Sequence, residues 1–178
     1  VDGRGHTASF NEARGVGVTA DGLQAVVADT WNHVIRLVDL GTSTVSTLAG
    51  GGGQPGLVDG VASQARFSSP VGVAVSVDTV FVADSSNAAV RLVALHDGHT
   101  STFLARSSRS VTVDNAHRDV WRPVDVAIST DGSSVFVVDV SRHCIWRMDP
   151  GNSAIAVLAG PLEAPSPGLV DGEGGDAR

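Results

Sequence analysis

Apolar and polar positions along this chain alternate in short bursts, and the bursts come in sets of four. Val71-Gly72-Val73-Ala74-Val75 is an apolar run ended by Ser76-Val77-Asp78. Val80 to Asp84 is a second run, closed by Ser85-Ser86-Asn87, and Ala89 to Val93 is a third. After His96-Asp97-Gly98-His99, Thr100 to Ala105 makes the fourth. Val-rich runs of five or six residues between Gly, Asn, Asp and Ser clusters read as strands. Links this short permit only antiparallel neighbours, so the four runs predict an up-and-down sheet. The same pattern returns as Val124 to Ile128, Val135 to Asp139, Cys144 to Met148 and Ala154 to Ala159, and an earlier copy precedes both.

The copies keep a fixed period. Val-Asp-Gly stands at residues 1 to 3, 58 to 60 and 170 to 172, and Val113-Asp114-Asn115 is a softened version. Asp29, Asp84 and Asp139 are 55 residues apart each time. A period of this size marks a repeat architecture, in which each unit needs neighbours to bury its faces. Four-stranded sheets repeated in series pack face to face around an axis as a β-propeller, which keeps exposed edges short. The expected fold is therefore all-β, with three consecutive four-stranded antiparallel blades over about residues 14–49, 71–105 and 124–159. Long links fill 1–13, 50–70, 106–123 and 160–178. Gly15, Gly17, Gly72 and Ala74 place small side chains on the first strand of a blade, which makes that strand the natural innermost one.

The residues Val27-Ala28-Asp29-Thr30-Trp31-Asn32-His33-Val34-Ile35-Arg36 resemble the core motif of NHL repeats. Val58-Asp59-Gly60 with Ala65-Arg66-Phe67-Ser68-Ser69-Pro70 is similar to the variant with a Val-Asp-Gly lead-in and a Leu-Ala-Gly end. The third copy departs from it, with Arg142 where Asn32 and Asn87 stand and Trp146 where Arg36 and Arg91 stand; the first has Ala13 where the others have proline. The resemblance implies a propeller, most often of six blades, and little about chemistry. Three blades then read as half of a ring, completed by further blades of a longer chain or by a second copy in a three-plus-three homodimer.

Composition narrows the function classes. The chain has 178 residues, 42% of them hydrophobic but only 4% aromatic, so the core rests on Val, Ala, Leu and Ile. Net charge is −7, with arginine as the sole strong base and no lysine. An acidic balance argues against following a nucleic-acid backbone, and it disfavours the RNA-binding use of NHL domains. Without lysine, Schiff-base and P-loop chemistry are excluded within these residues. Cys144 is the sole cysteine, so no internal disulfide can form. No apolar run is long enough to span a bilayer. With no initiator Met or leader segment, the chain reads as processed or partial, and an address outside the cell or at its surface is the expectation.

Candidate chemistry is sparse. No Gly-x-Ser-x-Gly, His-Glu-x-x-His or phosphate-cradling loop is present. Asp29, Asp84 and Asp139 occur in every copy beside a polar turn, where an Asp accepts backbone N–H groups in the manner of an Asx turn; a metal-ligand role is the alternative. Residues that break the repeat are better functional candidates. Asp125 stands where Gly15 and Gly72 stand, and one axial carboxylate could be a satisfied Asp or a cation ligand. The third link gathers Arg106, Arg109, Arg118, Trp121 and Arg122 in a small basic, aromatic patch suited to a protein partner. Its plainer alternative is a solvated link with Trp121 filling the space of Phe10 and Phe67. Trp31 at a turn tip is a second anchor. His33 and His143 hold matching turn positions and could share a zinc if both faced the channel. The Gly50 to Gly53 run reads as a flexible linker.

The expected function is a non-enzymatic structural and protein-interaction module, its partner being sibling domains or another subunit, with no cofactor. The competing expectation is half of a six-bladed hydrolase or lyase that uses calcium or zinc in its central channel.

Overall fold

Val- and Ala-rich runs punctuated by Asp-Gly and Ser-Asn turns produce strands and short 3-10 turns in the computed structural model. It describes residues 1–105, 121–152 and 154–161. Thirteen strands lie among them. Blade 1 consists of β2 (Ala13–Val18), β3 (Gln24–Asp29), β4 (Val34–Asp39) and β5 (Thr44–Ala49). Blade 2 consists of β6 (Pro70–Val75), β7 (Thr79–Asp84), β8 (Ala89–Ala94) and β9 (Thr100–Ala105). Blade 3 consists of β10 (Pro123–Ile128), β11 (Val135–Asp139), β12 (Cys144–Met148) and β13 (Ile155–Ala159). Each blade runs in sequence order and every neighbouring pair is antiparallel. The all-β, three-blade reading of the sequence is the observed architecture.

The Val-Asp-Gly lead-ins add something the run pattern did not announce. Gly3 and Arg4 form β1, which pairs antiparallel with β5 and makes blade 1 five-stranded. Gly60 makes the equivalent single bridge to Thr100 on β9, with both backbone hydrogen bonds at 2.8–2.9 Å. Each described lead-in therefore crosses the outer edge of its own blade before the chain dives to the inner strand. Two residues of pairing are enough to satisfy part of an edge that would otherwise present open N–H and C=O groups.

The blades pack through two apolar layers. Val26, Ala28, Ile35 and Leu48 of blade 1 meet Val73, Val80, Val82 and Val93 of blade 2, together with Phe67 from the link. Phe81, Ala83, Val90 and Leu104 of blade 2 meet Val126, Val135, Val137 and Met148 of blade 3. Alternation along each strand thus serves a neighbour on either face, which is why the runs read as almost continuously apolar. Near the axis the inner strands approach so closely that side chains are excluded. A Cβ on Gly15 would collide with the Val71 carbonyl, and one on Gly72 would lie 2.6 Å from the Asp125 Cα.

One sequence reading is corrected. The glycine run is not a loose linker where it leaves blade 1. The Gly50 N–H donates to the Ala62 carbonyl and the Gly51 N–H to the Ala65 carbonyl, while the Arg66 guanidinium donates to the Gly51 carbonyl at 2.8 Å. The Ser63 carbonyl sits where a Gly51 side chain would stand, so glycine here permits a close backbone crossing.

Candidate functional site

The turn aspartates lead to a charged clamp inside blades 1 and 2. Asp84 ends β7 and is fully buried, as is Arg91 on β8. Register sets Asp84 opposite Ala89, and the side chain of Arg91, one turn of the pleat further on, reaches back to it. The guanidinium donates to Asp84 Oδ2 at 3.0 Å and, from its other nitrogen, to Asp59 Oδ1 of the lead-in at 2.7 Å. It also donates to the Arg66 and Val58 carbonyls, and its Cζ lies over the Phe67 ring, 5.0 Å from the centroid. Asn87 Nδ2 and the Ser68 N–H, each at 2.7 Å, supply the remaining donors to Asp84.

Blade 1 repeats this geometry. Arg36 bridges Asp29 and Asp2, both at 2.8 Å, and stacks 5.1 Å from the Phe10 centroid; Asn32 and the Asn11 N–H complete Asp29. A buried charge needs such a set, because an unpaired ion in an apolar interior costs several kcal/mol. Blade 3 lacks the arginine. Trp146 donates its indole N–H to Asp139 at 3.2 Å, and Asp139 also accepts the Arg122 and Ser141 N–H groups.

The two carboxylates of the blade 2 clamp titrate in opposite senses. Burial pushes Asp84 up from 3.8 to about 6, against the pull of Asn87, the Ser68 N–H and Arg91. At Asp59 burial also acts upward, but the Thr102 and Arg91 hydrogen bonds together outweigh it and hold the carboxyl below 3.8. A raised carboxyl contributes stability that is complete below 3.8 and is lost as pH rises through about 6. A lowered one contributes above the unfolded value and is lost as pH falls through its folded value. Asp59 is half exposed, so its share is discounted for screening. We expect Asp59→Asn to cost about 1 kcal/mol or less at pH 7. That difference should shrink at pH 3, as read from urea midpoints at the two pH values.

The other sequence candidates are scattered. Trp31 is exposed at its turn tip, its backbone N–H donating to the Asn11 carbonyl. His33 takes a left-handed backbone (φ 57°), and its Nδ1 accepts the N–H of Ser69, the residue just before blade 2, at 3.0 Å. His143 takes the same conformation (φ 55°) and is exposed. Trp121 packs against the layer between blades 2 and 3, and Arg122 is exposed. Arg106, Arg109, Arg118, Asp114, Asn115, Asp171 and the final Val-Asp-Gly lie outside the described residues. Asp125 is exposed on the inner strand, with Oδ1 accepting the Val126 N–H. Among the described residues no group of three or more His, Cys, Asp or Glu is gathered to hold a metal ion, and no helix is long and apolar enough to cross a membrane. Cys144 is buried and its thiol is pushed up to about 12, first by burial and then by Asp139, so it is a poor nucleophile.

Sequence reasoning missed Arg36 and Arg91. Their signal was the coincidence of Arg with Val-Asp-Gly and the turn Asp in the same two copies. For Asp29 and Asp84 the described bonds come from the link, the following Asn and the arginine; Asp139 alone takes a donor two residues ahead in its own turn.

No family model matches the chain. Over 133 residues, 69% of its length, it is 29% identical to NHL repeat-containing protein 2 of Homo sapiens and covers 18% of that protein. Over 111 residues, 62% of its length, it is 35% identical to Protein SUPPRESSOR OF QUENCHING 1, chloroplastic, of Arabidopsis thaliana and covers 10% of it. The chain thus spans under a fifth of these curated relatives. A chain of the nidogen/laminin complex superposes with a TM-score of 0.64 over 84% of this chain and 48% of its own, at 13% identity, which speaks for the fold alone.

Proposed function

From the premise that this chain belongs to the NHL-repeat β-propeller family, we propose that it is a non-enzymatic structural module that works by contact with protein. The partner surface comes from sibling domains of the same polypeptide or from another subunit. The observation carrying this reading is the pair of open blade faces. Val16 is 66% exposed on blade 1, whereas Val73 at the same repeat position is 7% exposed where blade 1 covers it. Ile145 of blade 3 is 38% exposed, whereas Ile35 and Val90 at its repeat positions are fully buried. Positions built for burial and left in water call for a protein partner.

The clamp supports the same conclusion from the other side. Its ionised groups are consumed by one another and shielded by Phe67, so they offer no free acid, base or nucleophile to a substrate. A calcium- or zinc-dependent hydrolase would need converging ligands, and among the described residues no group of three or more His, Cys, Asp or Glu is gathered.

Hydrogen exchange tests the reading. Amides of 13–18 and 144–148 should gain protection when the protein is isolated from its native source in assembled form, relative to the 178-residue chain alone. Equal exchange in both, or a stoichiometric calcium or zinc site found by calorimetry, would overturn it.

A further inference from the structure

Two consecutive amides of the link into blade 2 are held by groups from different blades. The Ser68 N–H donates to Asp84 Oδ1 of blade 2 at 2.7 Å, and the Ser69 N–H donates to His33 Nδ1 of blade 1 at 3.0 Å. Ser69 takes a left-handed backbone (φ 51°) and is followed by Pro70, the first residue of β6. That conformation is strained for a residue with a Cβ, and a following proline pushes its predecessor towards extended backbone. Such strain persists where the surroundings hold it, and here the hold on the Ser69 amide is the imidazole.

The next junction shows what the bond answers to. In the third link the Arg122 N–H takes the part of Ser68, donating to Asp139, and Pro123 follows directly, with no left-handed residue between. Blade 2 has Ala88 at the turn position of His33, with the same left-handed backbone (φ 48°). The imidazole thus stands where the following link has an extra, strained residue to hold, and alanine stands where that residue is missing.

We propose that His33 and Ser69 form an acid-released latch between blade 1 and the link that enters blade 2. Nδ1 accepts a hydrogen bond only while it carries no proton, so the ring is neutral with its hydrogen on Nε2. A proton on Nδ1 turns the acceptor into a donor and sets two N–H groups against each other. The bond is lost, and Ser69 relaxes towards extended backbone, shifting the entry of β6. Imidazole groups gain this proton at about pH 6.5. The surrounding charges are already engaged. The turn of His33 packs against β2 and β6; β6 has no charged residue, and Arg14 of β2 is held by Glu12 at 2.8 Å. Asp29 at the head of the turn is held by Arg36, Asp84 behind Ser68 by Arg91, and Arg66 of the same link donates to the Gly51 carbonyl. Among the described residues the ion-paired histidine is His96, with Asp97, so no carboxylate stands ready to replace the lost bond at His33. No part of the latch depends on what covers the outer faces of blades 1 and 3.

Nitrogen-15 NMR of the imidazole in the 178-residue chain should show a neutral ring protonated on Nε2 at pH 7.5. Native-state exchange of the Ser69 amide, corrected for its intrinsic rate and compared with the amides of β7, should lose protection about fivefold between pH 7.5 and pH 5, the factor one net hydrogen bond supplies. Over the same step the backbone signals of Ser69 and Val71 should move. His33→Ala should show the low protection already at pH 7.5 and stay nearly flat with pH. Ala88 fills the same turn position in blade 2, so this variant is expected to fold. Asp84, which titrates through about 6, is common to both proteins, so their difference isolates the histidine. A ring protonated on Nδ1 at pH 7.5 would overturn the proposal, and so would a Ser69 amide with the same pH response in wild type and His33→Ala.

Discussion

Arg91→Met should destabilise the protein by about 3–5 kcal/mol at pH 8, the range found when one partner of a buried ion pair is removed. Arg91 has no exposed surface and neutralises Asp84, which has none either. Without it, Asp84 keeps Asn87 and the Ser68 N–H but loses its counter-ion, and the Val58 and Arg66 carbonyls each lose a donor. Asp84 has one escape, which is to take a proton. Its carboxyl already sits at about 6 with the guanidinium in place, and removing the cation drives it higher. The deficit of the variant should therefore be smaller at pH 5 than at pH 8, and urea unfolding at the two pH values reads this directly. A deficit that stayed constant with pH would mean that Asp84 remains ionised without its partner. Against a total stability of about 5–15 kcal/mol, the loss at pH 8 is large.

Phe67→Ala should cost about 3–5 kcal/mol, as for other fully buried aromatic residues. Its ring is fully buried in the layer between blades 1 and 2 and forms the floor of the Arg91 guanidinium. Truncation leaves a cavity and exposes one face of a buried cation to it. The two losses are shared, so the double variant Phe67→Ala with Arg91→Met should lose clearly less than the sum of the single effects. Phe10 is the control, since it covers Arg36 in the same way but is 40% exposed. Its alanine variant should lose much less, because little of that ring is removed from water. Thermal or urea unfolding of the three variants settles the order.

Blade architecture could be read from the chain because it depends on local signals. Val-rich runs, turn residues and a period near 55 each mark strands without reference to distant contacts. The clamp could not be read in that way. Asp84 looks like a turn former because it precedes Ser85-Ser86-Asn87, and nothing nearby reveals that Arg91, seven residues on, folds back over it. The third member, Asp59, is 32 residues upstream of Arg91 and reaches it only because the lead-in crosses the blade edge. The informative pattern was comparison between copies, in which Arg36 and Arg91 keep company with Val-Asp-Gly while Trp146 breaks the set. His33 was legible as a special turn position but not as a strut, since its acceptor role depends on how the next blade is placed.

The lead-in that closes over the blade edge also sets where one module ends and the next begins. Asp59 reaches both Arg91 and Thr102, and Gly60 pairs with Thr100, so this segment belongs to blade 2 although it lies a dozen residues ahead of its first strand. A piece cut at Pro70 would leave Arg91 without its second anion and β9 without its clasp. A piece cut at Val58 would carry both. Duplication, transplantation or deletion of a blade from this chain therefore has a preferred reading phase, starting at the Val-Asp-Gly tripeptide and ending with the outermost strand.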